Sequence, residues 1–277
     1  LWVYYQYRQA KGDKRSKDEI YAEGRKKIKE VEARGVDIAV GHGKNMWDLN
    51  PALAAKVKSY YDDAKVSLKA EYSPAFIQSI PNNLPVKTLS KDRDNYILHP
   101  PTGEKLSPES IEALKKLRDS WGANLPKGQI VISDGLNAKA IMDEGHLAPY
   151  LEEIKKILGE ASVPMSEKNI VVTGGRVRAG YEIAQLLFEK AEPDIYRGIL
   201  HIIGERPGTM HHSYSVYITI LKGQKWSEKK VDHDVTKLVC NIADTALAPK
   251  DAVRETITIM REMVGKGVRG SRNTANS

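Results

Sequence analysis

Gln129-Ile-Val-Ile-Ser-Asp-Gly-Leu-Asn137 sends an apolar strand into a turn of small polar residues, after which helical sequence resumes. Two crossings of the same kind follow, at Asn169-Ile-Val-Val-Thr-Gly-Gly-Arg-Val177 and Gly198-Ile-Leu-His-Ile-Ile-Gly-Glu-Arg-Pro-Gly208. Near-continuous apolar, β-branched runs of this length are strands buried on both faces, as in a parallel sheet covered by helices. Their glycine-bearing loops should gather along one edge, at the carboxyl ends of the strands, where open α/β sheets bind ligands.

Helical periodicity fills the intervals. Leu147, Leu151, Ile154 and Leu158 form a crossover helix after the first strand, and Ile183, Leu186 and Leu187 mark the next. Strand, helix, strand, helix, strand is the βαβ pattern, and right-handed crossovers place helices on both faces. Upstream, Ser107-Pro108 opens a capped helix carrying Ile111, Leu114 and Leu117. Downstream, Ser213 to Leu221 alternates as a strand exposed on one side, and Lys222 to Asp234 reads as a surface loop or hairpin tip. Val235 to Ile242 is a short apolar segment. Pro249 starts a last helix with Val253, Ile257, Met260 and Val264 on its buried face, and the chain beyond Gly265 should fray.

The first part of the chain is organised differently. Lys17 to Arg34 is a Lys- and Glu-rich helix stopped by Gly35. Asn50 caps a second helix with Pro51 at its first position, and Leu53, Val57, Tyr60 and Ala64 form a stripe that should pack against something. Ser73 to Pro85 carries three prolines and reads as a linker. The expected division is a helical N-terminal extension and linker, 1–85, followed by an α/β domain, 86–277.

Composition bounds the function. A chain of 277 residues can bury a sizeable core. No apolar run approaches the ~20 residues needed to cross a bilayer, and no signal-peptide pattern opens the chain, so a soluble, cytoplasmic protein is expected. The single cysteine, Cys240, excludes an internal disulfide framework and a cysteine-rich zinc site. The net charge of +7 is concentrated in Lys11 to Lys29 and Lys266 to Arg272, without the interleaved aromatics of a base-reading module. Nucleic acid is therefore not the expected partner.

Known chemical motifs are mostly missing. There is no G-x-G-x-x-G fingerprint between the first strand and helix, and no P-loop. Gly41-His-Gly43 reads as a turn. His211 and His212 on a strand would point to opposite faces, and Asp232-His233-Asp234 lacks a second, spaced ligand group, so no metal site is expected. Ser133 does not sit in a G-x-S-x-G elbow, and helix capping is the expected duty of both Ser133 and Asp134. Gly204-Glu-Arg-Pro-Gly208 is a rigid polar loop that lets backbone approach a ligand. Glu205 and Arg206 could equally neutralise each other at the sheet edge.

Val131-Ile-Ser-Asp-Gly-Leu136, Gly175-Arg-Val177 and Ile203-Gly-Glu-Arg-Pro-Gly208, in this order and spacing, resemble the small (light) subunit of adenosylcobalamin-dependent ethanolamine ammonia-lyase. Ser90-Lys-Asp-Arg-Asp-Asn-Tyr96, with Pro100 and Gly103, extends the resemblance, which covers about Val86 to Met263. It implies that adenosylcobalamin lies between this chain and a large (heavy) subunit holding the substrate. It also places cofactor contacts on Val177 and Glu205. A third contact falls on Leu238 or Cys240, since Leu238-Val-Cys-Asn-Ile242 puts leucine where the family has cysteine and cysteine where it has serine.

The implied reaction is radical. Cobalt–carbon homolysis starts hydrogen abstraction from ethanolamine or a similar vicinal amino alcohol, which ends as an aldehyde and ammonia; the cofactor supplies that chemistry and the protein supplies orientation. No D-x-H-x-x-G motif is present to replace benzimidazole as the lower cobalt ligand. Two rival readings stand beside this one: a nucleotide-binding or hydrolytic α/β enzyme using Ser133 or Arg206, and a non-catalytic assembly module of the same family. The family's Gly-Arg-Ala-Gly-Pro-Arg-rich segment is absent before residue 85, and the chain opens on Leu1-Trp-Val-Tyr-Tyr, as a processed product or the tail of a fused enzyme would. Packing of the enzyme within a bacterial microcompartment is left open by the sequence.

Overall fold

The computed structural model describes residues 1–36, 39–43, 45, 47–208, 212–228 and 230–265. The chain divides into two compact units, Leu1–Asp63 and Ala64–Ser277. His211 and the basic tail from Lys266 lie outside the described residues.

In the first unit, α1 (Trp2–Ala10) packs against α2 (Lys17–Glu32). Ser16 and Glu19 form a reciprocal capping box that satisfies orphan amides at the start of α2. Gly24 lets the Tyr4 ring and Leu1 approach the helix, and Ile20 is fully buried. The helix α3 (Pro51–Lys69) starts as its sequence indicates, with the Asn50 side chain accepting from the Ala52 amide at 3.0 Å. Its apolar stripe behaves otherwise: Val57 is 45% exposed, and Leu53, Tyr60 and Ala64 are half-buried.

The second unit carries α4 (Pro74–Ser79), β1 (Asn83–Lys87), α5 (Arg93–Leu98), α6 (Pro108–Ser120) and β2 (Gly128–Ser133). It continues with α7 (Lys139–Met142), α8 (Leu147–Glu160), β3 (Met165–Thr173), α9 (Val177–Phe188) and β4 (Tyr196–Gly204). It closes with β5 (Tyr214–Lys222), α10 (Gly223–Ser227), β6 (Lys237–Ile242) and α11 (Pro249–Gly265). The six strands form one sheet in the order β1-β3-β2-β4-β5-β6. The first four are parallel, and β5 and β6 run antiparallel to their neighbours. No helix among the described residues is long and apolar enough to cross a membrane.

The three runs read as strands are β2, β3 and β4. Every residue of β2 is buried, as a central strand between two covered faces requires. One core joins Ile130, Ile132, Val171 and Leu200 to α7, α8 and α11, and a second joins Val131, Ile170, Val172 and Ile199 to α6, α9 and Trp226. Helices therefore cover both faces, and the sheet is doubly wound and mostly parallel.

Three local expectations change. Ser73 to Pro85 is no linker: Ser73 caps α4, Tyr72 and Ile80 enter the core, and β1 pairs in parallel with β3. The boundary expected at residue 85 thus falls inside β1. The prolines are accommodated because Pro74 occupies the first turn of α4 and Pro85 sits on an edge strand. Lys222 to Asp234 is not simply a surface loop, since Trp226 is fully buried and its indole donates to the Arg197 carbonyl at 3.0 Å. β5 is covered on both sides: Ser215 and Thr219 are buried, and Thr219 shares a 2.8 Å hydrogen bond with Thr236.

Trp226 locks α10 beneath the sheet by area and by hydrogen bond together. Trp226→Ala is expected to cost about 3–5 kcal/mol, read as a lowered midpoint in urea denaturation; an unchanged midpoint would remove α10 from the core.

Candidate functional site

The loops after β2 and β3 meet on one carboxylate, and a backbone hydrogen bond adds the end of β4. Asp134, 1% exposed, accepts the amides of Gly174 at 2.9 Å and Gly175 at 3.0 Å. Arg93 stands 3.5 Å from the same carboxylate and donates to the Gly135 carbonyl at 2.9 Å. The Leu136 amide donates to the Gly204 carbonyl at 3.1 Å. At Gly135, where φ is +55°, an added Cβ would run into that carbonyl, so only glycine fits. Asp134 does not cap the helix that follows it; Asn137 takes that duty, accepting from the Ala140 amide at 3.3 Å.

Burial pushes the Asp134 carboxyl up to about 6, against the pull of Arg93 and the glycine amides. Ser133 is also not a cap. It is fully buried and hydrogen-bonds His201 Nε2 at 2.7 Å, beneath Gly175. Burial holds the His201 ring neutral, with its pKa down to about 3. A serine with no exposed surface cannot meet a substrate, which removes the Ser133 nucleophile.

Above this base lies a cleft of about 310 Å³. Its floor and walls include Leu136, Arg176, Val177, Ile203, Glu205, Arg206, Tyr217 and His233. Val177 is the first residue of α9, and Glu205 stands one residue past β4, so the two fold-determining turns deliver both to one cavity. The Tyr96 ring is held between Arg93 and Arg176, whose guanidinium carbons lie 4.8 and 4.7 Å from its centroid, and its hydroxyl donates to the Gly175 carbonyl. This stack fixes Arg176 at the cleft wall.

Leu238 and Cys240 are placed beside the cleft and not in its lining. Leu238 pairs with Tyr217, a lining residue. The β5–β6 register slips by one residue between Tyr214 and Val216, and Asn241 has φ +58°. Alternation puts Leu238, 44% exposed, and Cys240 on one uncovered face, while the extra residue turns Ile242 inward beside Val239. Both candidate positions therefore remain open to a ligand approaching over β6.

Several lining residues carry no recognisable sequence signal. Tyr217 reads as one aromatic among strand residues, yet it lines the cleft, and burial first and the Glu205 carboxylate next push its pKa up to about 12. Glu205 and Arg206 line the same cleft, and among the described residues no ion pair joins them. His233 stacks edge-on to Tyr181 and Tyr217 at 5.5 and 6.4 Å. Its neighbour Asp232 bonds the His233 ring at 2.6 Å and pairs with Arg178, which lowers the Asp232 pKa to about 2. Among the described residues no three His, Cys, Asp or Glu side chains converge as a metal site would require. The aliphatic surfaces, the Glu205 acceptor and the open β6 face fit one side of a corrin, whose apolar ring is edged by amides. The cleft is too small to enclose such a ring, so this surface can form only part of a site.

A doubly wound α/β domain with a ligand cleft at the carboxyl edge of its sheet is the class that fold and site define. The family described as ethanolamine ammonia-lyase light chain (EutC) matches residues 24–272. The chain belongs to that family. Similar proteins include the ethanolamine ammonia-lyase small subunits of Clostridium perfringens, 30% identical over 60% of this chain and 51% of the relative, and of Lachnoclostridium phytofermentans, 29% identical over 67% and 56%. That of Pseudomonas fluorescens (strain SBW25) is 34% identical over 50% of this chain and 46% of the relative. The matched segments thus span about half the length of these relatives.

Asp134 yields a signed pH prediction. Its folded pKa lies above that of an unfolded aspartate, so its contribution is complete below about pH 4 and is lost as pH rises through about 6. Asp134→Asn keeps the shape but offers one oxygen to two amides. The variant should be less stable by about 1–3 kcal/mol at pH 5, and its stability should fall less than wild type between pH 5 and 7. Equal urea midpoints and equal pH slopes would show that Asp134 does not tie the loops.

Proposed function

We propose that this chain is the cofactor-holding small subunit of an adenosylcobalamin-dependent ammonia-lyase. The enzyme converts ethanolamine, or a similar vicinal amino alcohol, to an aldehyde and ammonia. The chain is not catalytic alone; a large subunit supplies the substrate site and closes over the other side of the cofactor. The supporting observation is that Val177 and Glu205, two positions the family resemblance assigns to the cofactor, line one cleft at the carboxyl edge of the sheet.

Adenosylcobalamin supplies the radical chemistry when bound. The chain's own residues bind and orient. Val177 and Leu136 offer aliphatic contact, and Glu205 accepts hydrogen bonds from amide or hydroxyl groups. Leu238 and Cys240, on the uncovered face of β6, extend the surface beyond the cleft. Rigidity comes from below, where the Asp134 and Tyr96 contacts hold the β2 and β3 turns and the Leu136 amide on the Gly204 carbonyl holds the end of β4, so little ordering is left for the moment of binding.

The visible spectrum of the co-purified complex is the first test, because a bound corrinoid is coloured and an assembly module without cofactor is not. Glu205→Ala should raise the coenzyme Kd of the reconstituted complex roughly tenfold or more, the loss of about 1.5–3 kcal/mol expected for a hydrogen bond to a charged group. Stability of the variant chain should stay within about 0.5 kcal/mol of wild type, since the side chain serves the cleft and not the core. A coenzyme titration identical to wild type would remove Glu205 from the site.

A further inference from the structure

His233 lines the cleft from the segment between α10 and β6. Two tyrosines meet its ring edge to face: Tyr181 of α9 at 87° with centroids 5.5 Å apart, and Tyr217 of β5 at 83° and 6.4 Å. Its Nδ1 lies 2.6 Å from Asp232 Oδ1, and the same oxygen accepts the His233 amide at 2.9 Å. Asp232 is held in turn. Arg178, in the first turn of α9, reaches both carboxylate oxygens at 3.3 Å, and its Nη1 donates to Glu104 at 3.1 Å. These contacts fix a ring that is half exposed to solvent. They also settle which nitrogen donates. A carboxylate paired with a guanidinium stays ionised and only accepts, so the proton shared with Asp232 belongs to Nδ1. In the neutral ring Nε2 is then the lone-pair nitrogen, and among the described residues no group bonds it.

We propose that His233 is a further cofactor-binding residue: Asp232 holds its ring so that Nε2 accepts a hydrogen bond from an amide at the edge of the corrin. This rests on the reading of the chain as the cofactor-holding subunit. A carboxylate that engages one ring nitrogen and leaves the other for a ligand is the usual way a binding histidine is oriented. With no cluster of metal ligands among the described residues, the ligand atom suited to Nε2 is a hydrogen-bond donor. Primary amides supply such donors, and they need acceptors in the wall they meet. Glu205 is one, and it carries a charge. Nε2 is a neutral acceptor, which costs less to desolvate when a large apolar ring covers it.

The test uses the full chain assembled with the large subunit and titrated with adenosylcobalamin by visible absorbance. His233→Phe keeps a ring against Tyr181 and Tyr217 but removes the acceptor, and it should weaken binding about two- to tenfold, the range of one hydrogen bond between uncharged groups. His233→Gln, whose amide oxygen can stand in for Nε2, should bind more tightly than His233→Phe. Equal weakening by both variants would overturn the proposal. So would wild-type binding by His233→Phe beside a weakened Glu205→Ala, which leaves the cofactor reading intact. A second arm needs no cofactor and follows the ring nitrogen NMR shifts of His233, identified by their loss in His233→Phe, at a pH where the ring is neutral. The proton should sit on Nδ1 in the wild-type chain and pass in part to Nε2 in Asp232→Ala. A wild-type ring protonated on Nε2, or an unmoved proton in Asp232→Ala, would refute the orientation by Asp232. A wild-type complex that takes up no cobalamin would overturn the cofactor reading and with it the His233 contact, and the nitrogen arm separates that failure from failure of the Asp232–His233 link.

Discussion

The buried carboxylate of Asp134 is the constraint on which the binding edge depends. It costs free energy to bury a charge, and here the cost is offset by two glycine amides and a guanidinium converging on one group. The glycines contribute twice, since they present their amides and have no Cβ to strike the Thr88 and Ser133 side chains packed against them. Without Asp134 the β2 turn and the β3 turn would be independent loops. With it, they are one surface.

That surface stands on an unusually polar stretch of the sheet interior. The row Leu84, Ile170, Val131, His201, Tyr217 and Leu238 crosses all six strands. It passes from apolar core to a neutral, hydrogen-bonded histidine, then to a half-buried phenol, and ends on an uncovered leucine. Helices α6, α9 and α10 cover this face of the sheet as far as β5 and leave β6 bare. The cleft is where that cover stops, so burial of the core and exposure of the site arise from one arrangement of helices.

Charge around the cleft is organised by the same elements. Arg176 is fixed on Tyr96, and Arg178 pairs with Glu104 and Asp232, so neither neutralises Glu205. Each basic group near the start of α9 is thereby engaged, and the acid at the end of β4 stays oriented to the cavity.

The strands β2, β3 and β4, the crossover helices and the ligand-binding edge were legible in the sequence because continuous apolar runs and helical stripes report burial directly. Val177 and Glu205 were singled out by the family resemblance, and the turns that carry them bring both to the cleft. The edge strand β1 was hidden by its prolines, and α10 by the charged residues around Trp226, since local composition does not reveal which single side chain the core will accept. Asp134 was misread as a cap because its partners lie on another loop, far away in sequence. Sequence alone thus determined which segments form the sheet and which turns come to its carboxyl edge, these being local consequences of hydrophobic period and glycine. Only the tertiary structure decided which acid ties the loops, which phenol lines the cleft and which strand face stays bare, because those depend on pairings between residues that only folding brings together.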